Sequence, residues 1–414
     1  MTIKQKISAN KSVLTNFSYL SILQILYIVF PLITYPYTLR IVGLELNGVV
    51  IFAQAIVAYI SIIISFGFNI TGVRDIAENK NDDKKISEII SSIYSVRFII
   101  WLTCLVIYLL VITHIQLSSD FIIVYFFTFF ISLNELLFPV WYFQGIEKME
   151  FITIINVGVR LLFVVSIFVF VNNASDYILI PILNAMSSLI SGLIAIYIVF
   201  IKHKRHFKFI DSQTLTIYFK QSTPVFLSIL STHFYMNLNK LIVGSYLGMS
   251  EITIYDMGEK VASILKIPYS LISQSVFPRV SREKNRHYIN NVLKLSLLLS
   301  IIAYMILFVF SENVVIFLAG RQIKEASLIV RILCASSIFV SVSTFLGGCR
   351  LIPLGYQKVH LLAMLECCIF YLFSLVIILF TENISLISLS ILSVFVEVFC
   401  MFVLLFLVKK NDLF

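Results

Sequence analysis

Residues 17–39 read FSYLSILQILYIVFPLITYPYTL and contain no Asp, Glu, Lys or Arg. A helix needs about 20 mainly apolar residues to cross about 30 Å of hydrocarbon. The stretches 46–73, 98–119 and 177–201 are equally free of charge. Outward from these runs, the chain is 59% hydrophobic and 13% charged, against about 25% charged in an ordinary soluble domain. One soluble core is therefore excluded, and the chain reads as an all-α, polytopic membrane protein.

Twelve apolar segments are expected, near 14–38, 46–72, 89–113, 120–143, 151–172, 177–201, 219–244, 252–276, 292–311, 327–349, 359–381 and 385–408. Lys4, Lys6 and Lys11 precede the first. They resemble the basic start of a signal peptide, but the apolar run is too long and lacks a small-x-small cleavage site. It is expected to stay as the first helix. With twelve spans both termini share a side. Loops on that side carry twenty Lys and Arg, and the opposite loops carry Arg40, Arg321 and Lys324. The positive-inside bias places both termini in the cytoplasm. It also accounts for the net charge of +9 without nucleic acid.

The connections on the far side are short, which argues against an enzyme that works through a large extracytoplasmic loop. HExxH, P-loop, GxSxG and GxGxxG patterns are absent, so neither a catalytic residue nor an intrinsic ATP drive is expected. The six cysteines sit in or beside apolar runs with no metal-ligand spacing. They read as buried small residues, and no metal or cofactor is expected.

A short internal repeat links Arg40-Ile41-Val42-Gly43, followed by Asn47-Gly48, to Lys240-Leu241-Ile242-Val243-Gly244, followed by Gly248. The offset is near half the chain. It divides the sequence into residues 1–209 and 210–414, six helices each. Parallel repeats of this kind typify secondary transporters with a site at the repeat interface.

Function is then sought in the polar residues kept inside the bilayer. At about 100° per residue, Asp256, Glu259, Lys260, Ser263, Lys266, Ser270 and Gln274 share an arc of about 120° that rises ~27 Å. A charge at the membrane centre costs about 2.5–3.5 kcal/mol. Such a stripe must line a wet cavity or pair with neighbours. The second span carries a milder stripe that includes Gln54 and Ser61, and the seventh stacks His233, Asn237 and Lys240. Arg97, Arg160, with Asn156 nearby, and Arg331 are further intramembrane cations; Glu135, Glu366 and Glu397 are the carboxylates. Arg97 and Arg331 lie near helix ends, where they can snorkel, and Arg160 has Glu135 as its prospective ion-pair partner. Pro31, Pro36, Pro224 and Pro268 are expected to break or bend their helices.

Pro139-Val140-Trp141-Tyr142-Phe143-Gln144-Gly145-Ile146-Glu147-Lys148-Met149 stands after the fourth span, and Tyr35-Pro36-Tyr37-Thr38-Leu39-Arg40-Ile41-Val42-Gly43 after the first. Asn237-Leu238-Asn239-Lys240-Leu241-Ile242-Val243-Gly244 and Phe277-Pro278-Arg279-Val280 follow later. Together they resemble the O-antigen flippases of the polysaccharide-transporter branch of the multidrug/oligosaccharidyl-lipid/polysaccharide exporter superfamily. The resemblance implies twelve helices in two six-helix lobes around a central cationic cavity. It implies a flippase that moves undecaprenyl-pyrophosphate-linked oligosaccharide between leaflets of a bacterial inner membrane. Membrane lipids, a polysaccharide polymerase and a chain-length regulator are the implied partners. A multidrug or cation antiporter of the same superfamily is the alternative.

On this reading Arg97, Arg160, Lys240, Lys260, Lys266 and Arg331 face the phosphates, since diphosphates select Lys and Arg. Gln54, Asn156, His233, Asn237, Ser263, Ser270 and Gln274 supply the polar lining. Glu135, Asp256, Glu259, Glu366 and Glu397 are ion-pair partners or carriers of a coupling ion.

Overall fold

The computed structural model describes residues 3–114, 119–283, 286–320, 323 and 326–411. Among them the chain is helical and contains no strand. The α-helices are α1 (Ile3–Val42), α2 (Leu44–Ser65), α3 (Phe68–Glu78), α4 (Asp83–His114) and α5 (Ser119–Phe129). Then come α6 (Leu133–Leu137), α7 (Val140–Gly145), α8 (Met149–Phe170), α9 (Leu179–Ile196) and α10 (Ser212–Ile242). The last are α11 (Met249–Glu283), α12 (Arg286–Ala319), α13 (Ser327–Leu346), α14 (Gln357–Phe380) and α15 (Leu386–Lys410). Two compact units emerge, residues 1–230 and 231–414. The division falls inside α10.

Ten helical stretches among the described residues, from Ser21–Val42 to Leu386–Lys410, are long and apolar enough to cross a membrane. α10 and α11, of 31 and 35 residues, are ~46 and ~52 Å long. Length therefore suffices, but Lys220 and Lys240 in α10, and Glu251, Asp256, Glu259, Lys260 and Lys266 in α11, lower their apolarity. The twelve expected segments thus correspond to ten apolar spans and two long, charged helices. Exposed Phe98, Leu102, Val106 and Leu110 of α4, and Leu298, Ile302, Met305 and Val309 of α12, form outward stripes that only a hydrocarbon surround would tolerate.

The helices run on through Pro31, Pro36, Pro224 and Pro268, so the expected breaks do not occur there. They occur elsewhere. α2 ends at Phe66 and Gly67, both with positive φ. A Cβ on Gly67 would lie 3.0 Å from the Phe226 nitrogen, so glycine answers both the backbone conformation and the close approach. Phe66 stacks on Phe219 and Phe226 at 4.3 and 4.5 Å. The second break is at Phe138-Pro139, between α6 and α7.

The Trp-Tyr-Phe-Gln-Gly block forms α7 and is a packing device. Trp141, Tyr142 and Phe143 are at most 1% exposed and sit in one cluster with Phe68, Ile76, Ile93 and Phe138. Gly145 abuts Ile76 so closely that a Cβ would lie 2.6 Å from it. The Tyr142 hydroxyl bonds His203 Nδ1 at 3.0 Å. His203 opens the irregular strap 203–211, which runs beside α4: the Lys208 amide donates to Ser91 Oγ at 2.9 Å, and Arg205 pairs with Asp83. Burial, and then Lys148, Arg205 and Lys202, push the His203 pKa down to about 4.

The two hairpins of the expected repeat share a backbone feature, offset from their sequence match. Gly43 (φ 85, ψ 174) and Gly248 (φ 107, ψ 175) adopt the same conformation, each just before a helix. Gly244, matched to Gly43 by sequence, lies within a π-helical turn, Val243–Leu247. That extra turn shifts the equivalence by four residues. Only the positive-φ position demands glycine.

A polar cavity in each unit as candidate functional site

The first unit holds a cavity of about 250 Å³, lined by Tyr27 of α1, Ser61 of α2, Asn134 and Glu135 of α6, Asn156 and Arg160 of α8, and Asn184, Ser187, Ser188 and Ser191 of α9. Arg160 stands at the middle of α8. Its guanidinium lies 4.5 Å from the Tyr27 ring centroid, a cation–π contact that the desolvated site strengthens. The Tyr27 hydroxyl donates to Asn156 Oδ1 at 3.1 Å, and Ser191 Oγ to Asn134 Oδ1 at 3.3 Å. Arg160 and Glu135 share this cavity, but the expected ion pair between them does not form. Glu135 Oε2 instead accepts from Asn69 Nδ2 at 3.4 Å.

Arg97 is placed outside this cavity. It is 1% exposed and donates to Glu135 O at 2.6 Å, Asn69 Oδ1 at 2.9 Å and Ser65 O at 3.3 Å. A helix that stops leaves carbonyls without intrahelical partners, and α2 stops at Ser65. Arg97 therefore seals a broken helix, where the sequence reading had it facing phosphate. Gln54 is half-buried on α2 and is not part of the lining.

The second unit holds a cavity of about 300 Å³, lined by His233 and Asn237 of α10, Glu259, Ser263 and Lys266 of α11, Ser336 of α13, and Ser393 and Glu397 of α15. The polar arc of α11 thus divides. Glu259, Ser263 and Lys266 reach the cavity, while Asp256 and Lys260 enter a paired network beside it. Lys240 Nζ bridges Asp256 and Glu259, at 2.8 Å to each, and Lys260 pairs with Asp256. Asp256 is 5% exposed. A buried charge of this kind persists only when paired. Two lysines expected to face phosphate are thereby neutralised by carboxylates.

Lys266 stands at the middle of α11 and, with Glu397, lines the cavity without an ion pair. Ser270 is not among the lining residues, and the Gln274 side chain lies outside the described residues. Arg331 is also elsewhere: it bonds Ser311 Oγ at 2.6 Å, approaches Glu312 at 3.8 Å and stacks over Phe308. Glu366 is exposed on α14, on the side of exposed Leu362, Ile369 and Phe373.

Asn239, Asn134 and Asn184 were missed as site residues. Asn239, 1% exposed, donates to Ser393 Oγ at 2.8 Å and Leu389 O at 3.0 Å, and accepts from Tyr371 at 2.7 Å. It ties α10, α14 and α15 together. The signal for all three is an amide inside an apolar run.

The two cavities draw on corresponding helices, α1, α2, α6 and α9 in one unit and α10, α11, α13 and α15 in the other, with α8 added in the first.

A family model described as polysaccharide biosynthesis protein matches residues 13–284. A protein named "Putative O-antigen transporter" from Escherichia coli K12 is 25% identical over 355 residues, covering 83% of this chain and 84% of its own length. Among solved structures, the lipid II flippase MurJ in an inward closed conformation aligns with a TM-score of 0.74 at 14% identity, over 94% of this chain and 87% of that one. An inward-facing multidrug resistance MATE family transporter of the MOP superfamily aligns with a TM-score of 0.73 at 12% identity, over 92% and 94%. The fold is that of these membrane transporters.

Proposed function

The chain belongs to the polysaccharide biosynthesis protein family, and from that premise we propose that it is a flippase for a lipid-linked oligosaccharide. Its cargo on this reading is an undecaprenyl-pyrophosphate-linked O-antigen repeat unit, carried from the cytoplasmic to the periplasmic leaflet of a bacterial inner membrane. Both termini are cytoplasmic, and the two halves supply six spans each. A polymerase and a chain-length regulator would act on the unit after transfer.

The observation that carries the reading is a cation at each cavity, Arg160 and Lys266, that stands at the middle of its helix and forms no ion pair among the described residues. A diphosphate with sugars cannot cross hydrocarbon bare. Two mid-membrane cations beside amides and hydroxyls offer charge-assisted hydrogen bonds where water is scarce. The polyprenyl tail needs no site, because lipid solvates it. A drug antiporter would favour an acidic, aromatic cavity over a basic one. Glu135, Glu259 and Glu397 line these cavities, so acidity does not separate the two readings; the scarcity of aromatic rings does, since Tyr27, Phe163 and the His233 imidazole are the aromatic groups among the described lining residues.

The test is deletion of the gene in its host, followed by complementation. Loss of surface polysaccharide, with lipid-linked repeat units accumulating on the cytoplasmic leaflet, is expected. Wild-type chain should restore export; Arg160→Ala, at equal protein level, should not. Unchanged polysaccharide in the deletion strain would sink the proposal.

A further inference from the structure

The first cavity holds hydrogen-bonding capacity that the protein does not use. Among the described residues, the Asn184 amide makes no hydrogen bond, nor do the side-chain hydroxyls of Ser61 and Ser188. The Asn134 amide nitrogen is also unspent, because only its Oδ1 accepts, from Ser191. These groups come from α2, α6 and α9. The first cavity also carries the ionisable Glu135 and Arg160, and the second, built on corresponding helices, carries three such groups, Glu259, Lys266 and Glu397. The difference therefore lies in side-chain choice, not in the fold.

Each amide and hydroxyl both donates and accepts. A diphosphate only accepts, so it would leave the acceptor half of this lining idle. A sugar ring matches it group for group, since its hydroxyls and any acetamido substituent also do both. Leaving buried polar groups unpaired costs about 1–3 kcal/mol each, so the cavity favours a ligand of that kind over an apolar one. Its volume of about 250 Å³ is far above the ~10–15 Å³ that one water needs, so the cavity has room for a sugar ring.

Resting on the flippase reading, we infer that the first cavity is a recognition site for one uncharged sugar of the headgroup, with Asn184 and Ser188 as specificity-determining residues. Arg160, at the same cavity, holds the phosphate to which that sugar is attached.

The test uses the full chain in lipid nanodiscs. Saturation-transfer NMR titrations with N-acetylglucosamine and methyl glucoside report the sugar; inorganic pyrophosphate titrated by calorimetry reports the phosphate. Asn184→Ala removes no hydrogen bond within the protein, so the variant should fold, and Ser188→Ala serves as a second probe on the same helix. Each should weaken the binding of at least one sugar about fivefold, the worth of one neutral hydrogen bond, and leave pyrophosphate affinity within twofold. Arg160→Ala should do the reverse. Absence of sugar binding to wild type, sugar affinity untouched by both α9 substitutions, or pyrophosphate affinity falling with Asn184→Ala would each overturn the inference. Failure of the flippase reading shows separately, as unchanged export in the deletion strain whatever the titrations give.

Discussion

The two units solve one problem differently. Each keeps charge inside a membrane, and each frames a cavity with corresponding helices. In the first unit the deeply buried cation, Arg97, is held by hydrogen bonds to two backbone carbonyls and an asparagine oxygen, with the Glu135 charge acting from nearby. In the second, Lys240 and Lys260 are neutralised by the charges of Asp256 and Glu259. Dipoles that close a broken helix do not depend on protonation, whereas paired ions do. Both cavities keep ionisable groups, Glu135 and Arg160 in the first and Glu259, Lys266 and Glu397 in the second, so the contrast lies in the paired network beside the second.

The largest expected effect tests that difference directly. Asp256→Ala removes the buried carboxylate of the network and leaves the half-buried Lys240 and Lys260 beside Glu259. Breaking a buried pair in this way typically costs about 3–5 kcal/mol. A steep fall in the thermal midpoint of the detergent-solubilised chain is expected, and Asp256→Asn should recover little of it because the charge is gone. Arg97→Ala should cost less, and Arg97→Gln should recover much, because an amide can still donate to Ser65 O or Glu135 O. If Gln fails at 97 while Asn succeeds at 256, the contrast between dipoles and ions collapses.

Next in size are the two cavity cations. A hydrogen bond to a charged group contributes about 1.5–3 kcal/mol, so Arg160→Ala and Lys266→Ala should each cut export roughly ten- to a hundredfold with protein level unchanged. The planar guanidinium of Arg160 is not replaced by an ammonium. Arg160→Lys should therefore stay impaired, while Lys266→Arg stays active. Equal rescue at both positions, measured by polysaccharide blot, would remove the distinction.

Packing beside the cavities gives a smaller contrast. A Cβ on Gly192 would meet Leu137 Cβ at 2.5 Å, close to a rigid backbone; one on Gly258 would meet only the Leu333 Cδ1 methyl, at 2.6 Å. Overpacking costs about 1–3 kcal/mol when neighbours cannot yield. Gly192→Ala should lower the thermal midpoint clearly, and Gly258→Ala only slightly.

The membrane class was legible because hydrocarbon admits few residue types, so uncharged runs of about 20 residues have one physical reading. The polar arc of α11 was legible for the same reason: helical periodicity placed Glu259, Ser263 and Lys266 on the face that reaches the cavity. What periodicity cannot show is what a polar residue meets across space. The sequence sets Arg97 near a helix end and Arg160 deeper, yet both stand near the middle of their helices, α4 and α8. One caps a helix that stops at Ser65, and the other stacks on Tyr27, more than a hundred residues away. Helix breaks were sought at prolines, which the helices accommodate. They occur at Phe66-Gly67, where α2 and α10 approach too closely for any side chain at residue 67, and at Phe138-Pro139, the junction before α7. The repeat was visible, but its register was misread, because an inserted π turn leaves no compositional mark.

The smallest expected effect concerns pH, and it decides whether a pH profile can be assigned to the second cavity at all. His203 lies outside the spans, against Tyr142 and Phe151, with Lys148, Lys202 and Arg205 around it. Its folded pKa of about 4 is below the ordinary value near 6.5. Between those values the unfolded chain binds a proton that the folded chain refuses, so stability must fall as pH drops from about 6.5 toward 4. The thermal midpoint should decline over that range, and His203→Gln, which can still accept from Tyr142, should flatten the decline. Export is a separate readout. Its pH dependence should be unchanged in His203→Gln if it originates in the second cavity. An export profile that flattens together with the stability profile would assign the pH response to the strap of the first unit, not to the second cavity.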